Sequence, residues 1–267
     1  MRYRIYENLE IVFTGCMMIQ KFYDELSPFY HLICPDWDAS IESQTIIMNR
    51  IIKSEWGENV SSIVDVSCGI GTQAIGLAKH GYEVEASDLS PQSIGRARKE
   101  AKTQGVDLKF SVSDMRKAYG HLSKQFDVLI SCDNSVPHPL SDGEILKAFK
   151  EFYRCLKPGG GCLVTLRDCA KEPRDGIQFK SYGVRVDHGV RYVIFQTWEF
   201  YNDIYDMPMY VIYDDGVDHP VTKRFRSQYY AVSLPTILGL MQKAGFQDVK
   251  DIECDFYQPV IVGTRKI

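Results

Sequence analysis

The stretch Val64-Asp65-Val66-Ser67-Cys68-Gly69-Ile70-Gly71-Thr72 constrains this chain more than any other. An apolar β-branched run, Ser62 to Val66, leads into Gly69 and Gly71. There the backbone can turn tightly and be approached by a ligand without obstruction from a Cβ. Gln73 to His80 then reads as a helix ended by Gly81. A second strand, Glu83 to Ser87, is followed by Asp88, at the separation where a carboxylate holds both hydroxyls of a ribose. Asp114-Met115 supplies a third mark, after a strand at Leu108 to Val112. Three such marks on one sheet edge predict a nucleoside-bearing cofactor.

The rest of the chain continues the alternation of helix and strand that builds a parallel sheet. The spacing predicts a helix over Ile41 to Ser54, and another over Pro91 to Gln104 with Ser90 as N-cap and proline at its first position. Phe126 to Ile130 is a continuous apolar run, as in a strand covered on both faces. Asp142 to Leu156 reads as a helix stopped by Lys157-Pro158-Gly159-Gly160, which turns the chain into a fifth strand, Cys162 to Leu166. Residues 171–231 differ. Tyr182 to Arg185, Arg191 to Phe200 and Met209 to Tyr213 predict inserted antiparallel strands that form a lid or active-site wall. A helix, Leu234 to Ala244, and a hairpin of Asp248 to Ile252 with Pro259 to Arg265 close the chain. The expected fold is α/β: a Rossmann-like, mainly parallel seven-stranded sheet with a C-terminal antiparallel hairpin and a small inserted antiparallel sheet. Residues 21–267 form its single domain, and residues 1–20 read as an extension that is non-native or poorly ordered.

Net charge is −4, which argues against broad electrostatic capture of nucleic acid. No apolar run is long enough to cross a bilayer. The segment Ile11 to Ile19 is short, broken by Thr14-Gly15-Cys16, and lacks a clear cleavage site for a secretory signal. None of the eight cysteines forms a CxxC pair or a Cys/His cluster, so reduced thiols, no metal and a cytoplasmic location are expected. A homo-oligomer is left open.

A dinucleotide is the rival cofactor, because Gly69 to Ala74 also fits the looser dinucleotide pattern. Asp65 opposes it. A carboxylate at the strand end can accept a hydrogen bond from an ammonium, whereas a pyrophosphate gains nothing from it. Val-Asp-Val-Ser-Cys-Gly-Ile-Gly-Thr, Ala-Ser-Asp-Leu-Ser, Ser-Asp-Met, Phe-Asp-Val-Leu-Ile-Ser and Leu-Lys-Pro-Gly-Gly occur in the order found in class I S-adenosylmethionine methyltransferases. The chain resembles that family over about residues 41–170. The resemblance implies S-adenosyl-L-methionine as cofactor and S-adenosyl-L-homocysteine as product. It places Asp65, Ser67, Gly69 and Gly71 around the methionine moiety, and Asp88 and Leu89 on the ribose and adenine. Asp114 and Met115 are placed on the adenine, and Cys132 lines the site. The run Lys21 to His31 resembles the cofactor-covering helix of small-molecule methyltransferases, with Tyr23 and Tyr30 facing the sulfonium.

Past the fourth and fifth strands stand Ser131-Cys132-Asp133-Asn134-Ser135-Val136-Pro137-His138 and Arg167-Asp168, where open α/β sheets place ligands. Arg167 can hold a carboxylate through a bidentate pair, or can pair with a local acid. Asn134-Ser135-x-x-His138, Arg167 and Arg224 to Tyr230 resemble positions in glycine and sarcosine N-methyltransferases. That resemblance implies that Asn134, Arg167 and Tyr229 orient the acceptor, with Arg226 and Tyr230 as second candidates. The arginine that this family sets against the cofactor's carboxylate has no counterpart from Asp38 to Asn49, and Arg50 is the nearest replacement. A neutral amine needs no strong base, whereas an oxygen acceptor does, and His138 and Asp133 are the candidates. The expected partner is a small molecule, preferably an amine-bearing acid such as glycine, sarcosine or dimethylglycine. O-methylation of a metabolite and a non-catalytic cofactor-binding role are the alternatives.

Overall fold

The computed structural model describes residues 8–217 and 219–267. In chain order its helices and strands are α1 (Asn8–Leu26), α2 (Trp37–Trp56), β1 (Ser62–Asp65), α3 (Thr72–Lys79), β2 (Glu83–Asp88), α4 (Pro91–Thr103), β3 (Lys109–Val112) and α5 (Ala118–Leu122). They continue as β4 (Phe126–Ser131), α6 (Asp142–Arg154), β5 (Leu156–Thr165), β6 (Ile177–Asp187), β7 (Val190–Tyr201), β8 (Ile204–Asp214) and β9 (Val221–Tyr230). The chain closes with α7 (Leu234–Ala244), β10 (Gln247–Ile252) and β11 (Val260–Thr264).

Seven strands form one sheet in the order β10-β11-β5-β4-β1-β2-β3. Strands β1 to β5 are parallel, while β11 runs antiparallel to β5 and β10 antiparallel to β11. This is the Rossmann-like sheet with its C-terminal hairpin that the sequence predicts. Each central strand is apolar on both faces because each face meets helices. Ile63, Val128 and Ile130 pack with Met48, Ile52 and Leu77 on one side. Val64 and Leu129 pack with Phe149, Phe152, Ile237 and Met241 on the other. The strand order reverses at β1, so the loops after β1 and β4 part and leave a crevice at their carboxyl ends.

The inserted sheet has four strands in the order β6-β7-β8-β9, one more than expected. Strand β9 alternates buried Phe225, Ser227 and Tyr229 with outward Arg224 and Arg226, and this period of two is what marks it as a strand. The inner face of the sheet, with Trp198, Tyr205, Met207 and Met209, packs on Phe22 and Leu26 of α1. Residues 1–7 of the extension lie outside the described residues. The boundary drawn at residue 20 falls inside α1, which continues to Leu26. Pro28 follows its end, and Tyr30–Ile33 forms a separate short turn of helix.

One boundary is corrected. Strand β5 begins at Leu156, earlier than expected, and Lys157-Pro158-Gly159-Gly160 forms an irregularity within it, since Phe126 pairs with Leu156 but Val128 pairs with Gly161. Gly159 takes φ +77° and donates to the Arg265 carbonyl at 2.9 Å, while Gly160 accepts from the Arg265 amide at 2.8 Å. A Cβ on Gly161 would fall inside the Trp56 ring, so only glycine lets α2 close on the sheet here.

Candidate active site

Two cavities open at the carboxyl ends of β1 and β4. The first, of about 290 Å³, lies over the Gly69 loop and is lined by Ser67, Gly69, Asp88, Leu89, Asp114 and Met115, among others. Asp88 accepts from the Gly69 amide at 2.9 Å and from the Ser90 amide at 2.8 Å, which fixes its carboxylate at the end of β2. Burial nonetheless raises its pKa. Asp65 accepts from the Ser67 amide at 3.1 Å through Oδ1. Its Oδ2 is buried with no partner, and burial pushes the carboxyl well above its usual range. Asp65 itself lines neither cavity; it stands just before Val66 and Ser67, which line the first, and an orphaned carboxylate oxygen there is a place for a cationic donor.

The two glycines have separate tasks. Gly69, at φ +53°, has open space where a Cβ would stand, which leaves its backbone free to meet a ligand. Gly71, at φ +97°, caps α3, and a Cβ there would lie 2.9 Å from Ile75 Cδ1. It serves the turn and does not line the cavity. At the far end Asp114 binds Arg116 at 2.6 Å, and Arg116 reaches Glu144 at 2.7 Å. Burial opposes ionisation of Asp114, but the bonds from Arg116 outweigh it and hold the carboxyl below its usual range. Arg116 was not foreseen from the sequence.

The second cavity, of about 680 Å³, lies between the inserted sheet and the loops after β4 and β5. Tyr23, Tyr30, Thr72 and Asp133 line both cavities and so mark where they meet. The Tyr23 hydroxyl is 2.7 Å from His138 Nε2 and 3.2 Å from the Tyr229 hydroxyl. His138 packs its ring 4.1 Å from that of Tyr229, and burial pulls its pKa down to about 3. Arg167 lines the second cavity with its guanidinium 5.1 Å from the centre of the Trp198 ring, and its buried Nη1 has no partner. Asp133 is raised by burial, against the Gln73 amide bond at 3.2 Å and the charge of Arg167.

Several expected site residues stand elsewhere. Asn134 lines neither cavity: its side-chain Oδ1 accepts from the Arg167 backbone N–H at 3.0 Å, and its own backbone N–H donates to the Thr165 carbonyl at 3.1 Å. Asp133 and Asn134 are successive left-handed residues, at φ +59° and +63°, and this turn gives the cavity-facing place to Asp133. Cys132 is buried in the apolar layer under β4. Arg226 is exposed and pairs with Asp206 at 3.0 Å, because alternation along β9 points it outward. Tyr230 shares that outward parity and packs on the α6–α7 side, where burial and Asp142 push its hydroxyl up to about 12. Arg50 is exposed and lines neither cavity.

Residues 63–160 match the family model described as a methyltransferase domain. A glycine/sarcosine N-methyltransferase from Parasynechococcus marenigrum is 26% identical over 84% of this chain and 76% of its own length. Among solved structures, the SAM-bound amino pentose methyltransferase CalS10 from Micromonospora echinaspora aligns over 100% of both chains with TM-score 0.73 and 14% identity. The sugar N-methyltransferase KedS8 from Streptoalloteichus aligns over 100% of this chain and 96% of its own, with TM-score 0.72 and 16% identity. The fold and the family match define the class: this chain is an S-adenosylmethionine-dependent methyltransferase, and S-adenosylmethionine is its cofactor. Among the described residues no helix is long and apolar enough to cross a membrane, and no cluster of His, Cys, Asp or Glu is placed to hold a metal.

Proposed function

We propose that this enzyme methylates the amine of a small molecule that also carries a carboxylate. The observation that carries this reading is Arg167, a buried guanidinium with an unpartnered Nη1 in the cavity that adjoins the cofactor site. Such a group favours a bidentate anion, and a carboxylate matches its fork. The glycine/sarcosine N-methyltransferase named above acts on acceptors of this kind.

S-adenosylmethionine supplies an electrophilic methyl group on a sulfonium. Asp65 Oδ2 would take the ammonium of its amino-acid end, Asp88 the ribose hydroxyls, and Leu89 and Met115 the adenine faces. Tyr23 and Tyr30 offer their rings to the sulfonium at the junction. Asp133, shared by both cavities, draws the acceptor amine to that junction, and its raised pKa suits it to take the amine's proton. Arg167 and the Tyr229 hydroxyl hold the acceptor's acid group, so that the nitrogen faces the methyl carbon. Positioning supplies most of the effect in such an in-line displacement. His138 stays neutral at pH 7 and serves to hold the Tyr23 hydroxyl; it does not take a proton from the acceptor.

Transfer of tritiated methyl from the cofactor to a panel of amino acids and amines tests this reading. Labelled N-methyl product is expected. Arg167→Met should raise KM for the acid-bearing acceptor roughly 10- to 100-fold while cofactor affinity holds. An absence of N-methyl product across the panel would sink the reading.

A further inference from the structure

The acceptor cavity is far larger than glycine or sarcosine requires. Its volume of about 680 Å³ lies within the range of roughly 300–1,000 Å³ that encloses drug-sized ligands. Its lining mixes polar groups, Arg167, Tyr229 and Asp133 among them, with the apolar side chains of Ile33, Trp37, Ile47, Phe256 and Tyr257. The Phe256 and Tyr257 rings lie 4.8 Å apart, and Tyr257 is 57% exposed, so an aromatic face is left open at the mouth.

This mouth is tied to the reacting end on both sides. Trp37 donates its indole N–H to the Thr72 hydroxyl at 3.0 Å, and Thr72 lines both cavities. Opposite, the Thr165 hydroxyl donates to Gln258 Oε1 at 3.2 Å and accepts from the Asp133 amide at 3.0 Å. A single threonine therefore couples the Phe256-Tyr257 loop to the residue at the junction. A body lodged in the mouth is held at a set distance from the place where the methyl is transferred.

Resting on the amine-and-carboxylate reading above, we infer that the acceptor carries an apolar body of aromatic-side-chain size, and that Ile47 and Tyr257 select for it. Glycine, which would leave the mouth empty, gains nothing from these walls. Burial of such a side chain favours the larger acceptor by at least about 30-fold in kcat/KM.

The experiment compares kcat/KM for glycine, sarcosine, leucine, phenylalanine and tryptophan with tritiated cofactor. It uses the wild type and the rim variants Tyr257→Ser and Ile47→Asn. Phenylalanine or tryptophan should exceed glycine, and each rim variant should reduce that preference several-fold through KM, with kcat and cofactor affinity retained. Equal or better use of glycine or sarcosine overturns the inference and leaves the amine reading standing. So does an aromatic preference that both variants keep. No labelled product from any of the five overturns both.

Discussion

His138 Nε2 lies 2.7 Å from the Tyr23 hydroxyl, and burial holds the ring neutral far below the ordinary histidine range. In the tautomer protonated on Nδ1, Nε2 accepts from Tyr23, which leaves the phenol oxygen's lone pairs turned to the junction and to Tyr229. The same burial makes a statement about stability. The folded-state pKa of about 3 is depressed from 6.5, so between those values the unfolded chain binds a proton that the folded chain does not. Stability is fully present above about pH 6.5 and falls as pH drops through that window. His138→Gln removes this term. Urea unfolding should show the stability gap between wild type and variant narrowing by roughly 2 kcal/mol from pH 7 to pH 5. A gap that stays constant would mean that the imidazole titrates freely.

Between elements, small residues set how closely helices meet. Gly76 stands inside α3, where alanine would gain roughly 1 kcal/mol in helix propensity. A Cβ there would fall inside the Thr45 hydroxyl and lie 3.1 Å from Ile41 Cγ2, both on α2. Thr45 is fully buried and bonded to the Ile41 carbonyl at 2.7 Å, so it has nowhere to swing. Gly76→Ala should therefore destabilise the protein by about 1–3 kcal/mol in denaturant unfolding, against the propensity gain. A neutral or stabilised variant would show that α2 and α3 part without cost. Legibility in the sequence follows the same division. Strands β1 to β4 could be read because period and breaker signals agreed, and Asp65, Gly69 and Asp88 stand at fixed steps along them. Strand β9 was missed because its buried positions, Phe225, Ser227 and Tyr229, alternate with arginines and read as a charged run. Without that strand there was no parity to show that Tyr229 faces inward while Arg226 and Tyr230 face out. The exchange of Asn134 for Asp133 was equally hidden, since it depends on two successive left-handed residues.

At the scale of the whole molecule, α1 joins the two sheets across the first cavity. Its Asp24 accepts from the Ser90 hydroxyl at 2.6 Å and the Gln92 amide at 3.1 Å, at the amino end of α4 on the Rossmann side. Arg96 of α4 returns bonds to the Ser27 and Pro28 carbonyls at 3.2 and 3.1 Å. Phe22 and Leu26 face the other way, into the core of the inserted sheet. Ile19, Tyr23 and Tyr30 line the first cavity, which we propose for the cofactor, together with Ser67 and Gly69. A ligand in that cavity thus touches α1 and the β1 loop at once, and its binding energy couples the covering helix to the main sheet. S-adenosylhomocysteine at a hundred times its Kd should stabilise the protein by about 2.7 kcal/mol. Amide exchange should slow together in residues 19–30 and 67–71. Slowing confined to the β1 loop would show that α1 does not close over the cofactor, and the junction at Tyr23 would then lose its wall.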